Sequence, residues 1–532
     1  MTNNAGKNHF LLSLLAVMAT LASAEARPAA QPHVPRLVVN ILIDQFRSDY
    51  VEAFMPLYGE GGFRRLFEEG CVYARGEYPM AQPDRASAAA TVAAGTSPYN
   101  HGVTGRQWFD RATLRPVQSV DDRRYADTEG VTASAPTSLA VSTLSDELKM
   151  ATGGRALVYS IAPYRDMAVL AAGHAGDAAV WIDNRTGNWC TSSYYGAKPA
   201  WVTSRNEYGA IGKLLKAVKW LPYSQASESF SYFQQSGASA SFDHKFRGEG
   251  QFRSFKTSAL VNEDVEALAE GCLSATALGQ DEATDYLAVA FYAGTFEHRS
   301  INEVGAELQD TYVRLDRAIA RLIAAVERKV GTNRALFVVT STGYSDASAA
   351  GMEQYRVPCG TFDMGKASAL LNMYLVAVYG QGQFVEGVLG RHIYLNHKLI
   401  EEKQIRSAEL LSRAQEFLLQ LSGVKDVYTS LRLQLGVGTE ILGRVRNGYN
   451  VATCGDLLIE VAPGWRFVNE DTHESQFVRA AYVPFPIIFY GTGISPAVIS
   501  SPVSVDRIAP TLSKAMRIRA PNACEAIPLA SQ

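Results

Sequence analysis

The chain has 532 residues, 47% of them hydrophobic, with 50 Lys and Arg against 53 Asp and Glu and a formal net charge of -3. This balance excludes a disordered tail, because there is ample apolar surface to bury and little net repulsion. The basic residues are spread out, and the densest pair, Arg64 and Arg65, reads as a solvated helix face, so nucleic acid is excluded as a partner.

Lys7 precedes an apolar run over 10–22 that ends in the small residues Ala22, Ser23, Ala24 and Ala26. This is the pattern of a secretory signal cleaved after Ala24 or Ala26, so 1–26 reads as a signal peptide and the mature chain as periplasmic or otherwise exported. No later run reaches about 18 uninterrupted apolar residues, so no transmembrane segment is expected. Six cysteines are an even count for an oxidising compartment and lead to an expectation of one to three disulfides, with the pairing left open. None has C-x-x-C or zinc-finger spacing.

After a leader with Pro28, Pro32 and Pro35, the run LVVNILI over 37–43 reads as a buried parallel strand ending at Asp44. A carboxylate in that position lies where open α/β sheets place ligands. Gly61 and Gly62 open a short helix, FRRLFEEG, closed by Gly70. Asp84 is placed to cap a further helix whose first residues are Arg85, Ala86 and Ser87. Residues 181–255, rich in Ser, Tyr, Gly and Trp, read as a loop-rich insertion over the C-terminal edge of the sheet. YLAVAFY (286–292) is a second strand. A helix over 303–330 follows, with apolar residues at Val304, Leu308, Val313, Leu315, Ile319, Leu322 and Ile323. ALFVVT (335–340) and PIIFYG (486–491) are further strands, and a second insertion, about 351–463, contains a helix over 407–421. Apolar strands alternating with long helices predict one α/β domain over 27–532, in which a mostly parallel sheet is covered on both faces to give three layers, α/β/α.

Five ordered segments carry a resemblance: NILIDQFRSDY with YGEGGFRRL (40–66), AAGTSPYNHGVTGRQWFDR (93–111), AAGH with WIDNRTGNWCTSSYY (171–195), LQDTYVRLDR (308–317) and VDRIAPTLSKAMRIRAP (505–521). Through them the chain resembles the alkaline phosphatase superfamily, specifically its type I phosphodiesterase/nucleotide pyrophosphatase branch, close to the periplasmic alkaline phosphatases with a Thr nucleophile. The resemblance implies an alkaline-phosphatase-like fold and a two-zinc chemistry. One cation stabilises the oxygen of an attacking Thr, the other stabilises the leaving oxygen, and a covalent phospho-enzyme forms between the two steps.

Matched residue by residue, that machinery is mostly replaced. Asp44 keeps the first metal-ligand position, whereas the nucleophile position falls on Arg85, a side chain with no nucleophilic capacity. Ser87 is the alternative hydroxyl. The ligand pair after the second strand falls on Thr295 and Arg299, with Glu297 and His298 beside them, and the next pair falls on Thr342 and Gly343. His473 survives in the last motif. By analogy Asp44 and His473 serve different metals, and one ligand does not make a stable zinc site. The family's phosphate-contacting Asn is Arg106 here, and its Lys-x-Arg pair is Tyr164 and Asp166.

The reading is a non-catalytic, metal-free envelope protein that binds or scaffolds a protein partner. Arg85, Arg106 and Arg299 would project into the former pocket. There they either hold a phosphate or carboxylate ligand or pair with Asp44, Asp84 and Glu297 as structural salt bridges. The alternative is an active zinc-dependent phosphomonoesterase or phosphodiesterase using Ser87, Glu297, His298, Asp346 and His473. A glycan-handling role would rest on the aromatic residues of 181–232.

Overall fold

Alternation within the first strand sorts the molecule into layers. The computed structural model describes residues 34–129, 132–223, 241–345, 359–436, 438–469, 474–477 and 483–529. In β1 (Leu37–Asp44) the side chains of Leu37, Val39, Ile41 and Ile43 enter one hydrophobic cluster, and those of Val38 and Leu42 enter another. A strand apolar on both sides of its pleat belongs at the centre of a covered sheet.

The other strands of this sheet are β2 (Cys71–Glu77), β3 (Val158–Ala162), β4 (Ala178–Ile182), β5 (Trp189–Cys190), β6 (Asp285–Tyr292), β7 (Ala335–Ser341), β8 (Phe485–Gly491), β9 (Ala497–Ile499) and β10 (Val503–Ser504). Their order is β9-β2-β8-β7-β1-β6-β3-β4-β5, with β10 also beside β2. The pairings are parallel except those of β8 with β7 and β2, and of β5 with β4.

The helices used below are α1 (Arg85–Ala94), α2 (Leu144–Ala151), α3 (Arg165–Ala172), α4 (Gln251–Lys256), α5 (Leu260–Ala275), α6 (Ile301–Val330), α7 (Met364–Tyr379), α8 (Ser407–Leu419), α9 (Ser430–Leu435), α10 (Glu440–Asn447) and α11 (Ile508–Met516). α5 and α6 bury their apolar stripes on one face of the sheet, and α1, α2, α3 and α11 bury theirs on the other. This is the three-layer α/β/α arrangement.

Two of the sequence segments meet directly. The Asp316 carboxylate, in LQDTYVRLDR, accepts from the backbone N–H of Gly59 at 2.9 Å and of Phe63 at 2.7 Å, in YGEGGFRRL. A Cβ at Gly62 would lie 2.2 Å from that carboxylate, so glycine is required for the approach. Gly70 does follow the short helix, but in extended backbone, where a Cβ would lie 2.3 Å from the Leu66 carbonyl. Arg64 and Arg65 do not form a solvated face. Arg64 donates to the carbonyls of Tyr58 and Met55, while Arg65 pairs with Glu327 at 2.8 Å and lies over the Tyr490 ring.

The region 181–255 is less loop-like than its composition suggests. It contains the end of β4, all of β5, and helices Ala200–Tyr208 and Ile211–Ala217; residues 224–240 lie outside the described residues. The second insertion has its own core. A four-stranded antiparallel sheet, Val385–Leu389, His392–Leu395, Leu457–Val461 and Val424–Thr429, packs against α7 and α8 through Leu371, Leu375, Ile393, Leu410 and Ile459.

All six cysteines are free thiols, which corrects the disulfide expectation. They come from separate parts of the fold, Cys71 from β2, Cys190 from β5, Cys272 from α5 and Cys454 from the second insertion. No helix among the described residues is long and apolar enough to cross a membrane.

Candidate functional site

The parallel strands bring four separate segments to one edge. Asp44 ends β1 opposite Tyr292 of β6, and Ile43 stands opposite Ser341 of β7, so Thr295 and Thr342 follow from strands flanking Asp44. Tyr164 and Asp166 follow β3. The first turn of α1 delivers Arg85 to the same edge, where crevices of open α/β sheets form.

α1 starts at a capping box. The Asp84 carboxylate accepts from the Ser87 N–H at 2.9 Å, and the Ser87 hydroxyl accepts from the Asp84 N–H at 2.9 Å. Ser87 is 1% exposed, and its hydroxyl turns back onto Asp84. In this arrangement Ser87, the alternative hydroxyl of the sequence reading, satisfies the open N–H groups of the helix start.

Held in that turn, Arg85 grips Asp166 at two points. Its Nε lies 3.0 Å from Oδ1 and its Nη2 lies 3.0 Å from Oδ2. Nη1 is 3.9 Å from Oδ2 of Asp44, and the guanidinium carbon lies 3.6 Å from the centre of the Tyr164 ring. Burial would lower the affinity of Arg85 for its proton, but Asp166 and then Asp44 outweigh it and hold the guanidinium well above its ordinary value. Burial would likewise raise Asp166, and the Arg85 charge overcomes this and keeps its carboxyl below the usual range. A planar cation paired at two points and stacked on an aromatic face uses what guanidinium offers and ammonium does not.

Asp44, 1% exposed, also accepts from the Thr342 hydroxyl at 2.9 Å, and that hydroxyl accepts from the Gln45 N–H at 2.9 Å. Thr295 is buried, and its hydroxyl finds no hydrogen-bond partner among the described residues. Gly343 has φ 75, and a Cβ there would lie 2.4 Å from the Tyr78 ring, so steric demand explains the glycine. Arg106 donates its backbone N–H to Asp84 Oδ2 at 2.6 Å, and its Nε lies 3.7 Å from the same oxygen.

Arg299 does not join Arg85 and Arg106, which corrects its placement in the pocket. It pairs with Glu303 one helical turn along α6 at 2.9 Å and is about half exposed, because α6 begins two residues after it. Glu297 and His298 are exposed loop residues with left-handed backbone, φ 51 and 55. Glu297 accepts from Ser254 and has no ion pair with any of the three arginines. His473 and Asp346 lie outside the described residues.

Lys256 escaped the sequence reading. It is 4% exposed, donates to the carbonyl of Ile182 and lies 5.4 Å from the centre of the Tyr164 ring. Burial pulls its pKa down to about 7. The available signal was positional: Lys256 follows Phe252 by four residues and Phe255 by one, on a short helix that buries all three. With Lys256 protonated, three cations (Arg85, Arg106, Lys256) stand among the carboxylates of Asp44, Asp84, Asp166 and Asp183.

The zinc chemistry implied by the resemblance does not fit the donors gathered here. Among the described residues no three His, Cys, Asp or Glu side chains come together as a metal would require. The retained carboxylate, Asp44, faces a guanidinium, whose charge opposes that of a dication.

Comparison with known proteins agrees with this architecture. The sequence profile of the family described as type I phosphodiesterase / nucleotide pyrophosphatase matches residues 38–482. The chain is 27% identical to a Myroides odoratus protein named calcium-transporting ATPase, covering 97% of each. It is 26% identical to alkaline phosphatase PhoV of Synechococcus elongatus, covering 96% of each. The crystal structure of wild-type alkaline phosphatase PafA superposes with a TM-score of 0.80 at 23% identity, covering 93% of this chain and 98% of that one. The chain belongs to the type I phosphodiesterase / nucleotide pyrophosphatase family, within the alkaline phosphatase superfamily.

Proposed function

We propose that this chain is an exported, non-catalytic member of its family, acting as a binding or scaffolding subunit in the cell envelope. The observation that carries the reading is the Arg85 guanidinium at the position matched to the nucleophile, held between Asp166 and Asp44 and stacked on Tyr164. A group clamped in this way neither attacks phosphorus nor leaves room for a hydroxyl that could. The balance of charge around it also argues against a phosphate or carboxylate ligand, because Arg85 and Arg106 already face carboxylates. Export rests on the apolar run over 10–22 and the small residues that follow it.

The test is hydrolysis of aryl phosphate monoesters and diesters by the purified chain, with and without added zinc. The account expects no turnover above that of buffer. Zinc-dependent turnover abolished in Ser87→Ala would contradict it.

A further inference from the structure

Arg446 of α10 has no carboxylate partner among the described residues. Its Nη2 donates to the Tyr99 hydroxyl at 3.3 Å, its guanidinium carbon lies 4.7 Å from the centre of the Tyr99 ring, and its buried Nε has no hydrogen-bond partner. Other arginines on this side are paired: Arg444 lies 3.8 Å from Glu77 and Arg432 lies 3.3 Å from Asp426.

Exposed apolar side chains adjoin the residues that hold Arg446. Leu435 ends α9 and is 70% exposed, and a Cβ on the next residue, Gly436, would lie 2.9 Å from the Arg446 guanidinium carbon. On the other side Asn450 donates to the Tyr99 carbonyl at 3.2 Å and leads into Val451, 67% exposed. Leu431, one turn before Leu435, is also exposed. Exposed leucine and valine around a stacked Tyr–Arg pair is the composition of an interface centre, where Tyr and Arg supply most of the energy.

We propose that this surface docks a protein segment bearing an Asp or Glu beside apolar side chains. The carboxylate would take the open hydrogen-bonding edge of Arg446, and the apolar neighbours would cover Leu435, Val451 and the Tyr99 ring. Charge complementarity selects the acidic residue, since the half-exposed guanidinium is fixed on the Tyr99 ring without a carboxylate of its own and presents a positive charge that a carboxylate pairs with. The surface lies beside the converted site. α10 also holds the loop leading into α1, because the Arg444 carbonyl accepts from the Ala81 N–H at 3.1 Å and Asn447 donates to the Pro79 carbonyl at 3.0 Å. The inference deepens the binding-subunit reading by naming the surface and its partner chemistry. Its test is independent of hydrolysis.

The experiment places a photoreactive benzophenone amino acid at Leu435, and separately at Val451, in the full chain expressed in its native cells. Irradiation is followed by mapping of the cross-linked peptide. The account expects cross-links to a segment with Asp or Glu flanked by apolar residues, falling at least about tenfold in Arg446→Gln. Leu431→Asp, outside the arginine contact, should weaken them as well. No protein cross-link, cross-links only to lipid, a segment without an acidic residue, or an undiminished yield in folded Arg446→Gln would each overturn the proposal.

Discussion

Arg85 and Asp166, 81 residues apart in sequence, form a two-point ion pair, with Nε 3.0 Å from Oδ1 and Nη2 3.0 Å from Oδ2. The side chains are 12% and 10% exposed, so neither partner can recover its hydration if the other is removed. Arg85→Ala is expected to cost about 3–5 kcal/mol in urea unfolding, because it strands Asp166 and removes the cation facing Asp44. The double variant Arg85→Ala/Asp166→Ala should recover part of that loss, giving a coupling energy that identifies the pair. Additive losses would mean the pair contributes nothing jointly.

Asp84 and Ser87 should behave as helix-capping residues, with Asp84 also holding the backbone N–H of Arg106. Asp84→Ala is expected to lower stability by about 0.5–2 kcal/mol, with a smaller loss for Ser87→Ala. Thermal unfolding of both variants checks this. A Ser87→Ala protein as stable as the parent would show that the reciprocal bond is idle.

Lys256 makes stability depend on pH. Folding holds its pKa near 7, below the ordinary lysine value of about 10.4, so between these limits the unfolded chain binds a proton that the native chain does not. Stability contributed through this group therefore rises with pH across that window, by up to roughly tenfold in the folding equilibrium constant per pH unit. Below pH 7 the lysine is charged in both states and its penalty is constant. Lys256→Met should remove this rise when the two proteins are compared by denaturant unfolding at pH 7 and above. Parallel curves for parent and variant would place the amine in water.

Gly343 sits at φ 75 against the Tyr78 ring, whose hydroxyl donates to the Ser341 carbonyl at 2.7 Å. Gly343→Ala is expected to cost more than about 1 kcal/mol from backbone strain, plus displacement of Tyr78. Calorimetry of the variant tests this. An unchanged midpoint would mean that Tyr78 moves freely.

Much of the fold could be read from the sequence because its central elements are extreme. The apolar runs of β1, β6 and β7 and the helical periodicity of α6 fixed element type to within a residue or two. The direction of β8 was not legible, since PIIFYG is equally apolar either way and only its neighbours make it antiparallel. At the site, Arg85 stood out because the family resemblance puts a hydroxyl at its position. Its partnership with Asp166 did not, since the contact depends on β3 and α1 meeting at one sheet edge. Arg299 misled because sequence spacing carries no side-chain direction, and the start of α6 offered it Glu303 instead.

Zinc titration of the metal-depleted full chain, followed by isothermal calorimetry and elemental analysis of the dialysed protein, tests the central claim most directly. That claim is that an ion-pair cluster has replaced a two-metal phosphoryl-transfer site. The account predicts no saturable heat and no stoichiometric zinc. One or two equivalents retained per chain, lost on replacing Asp44 with Ala, would contradict it.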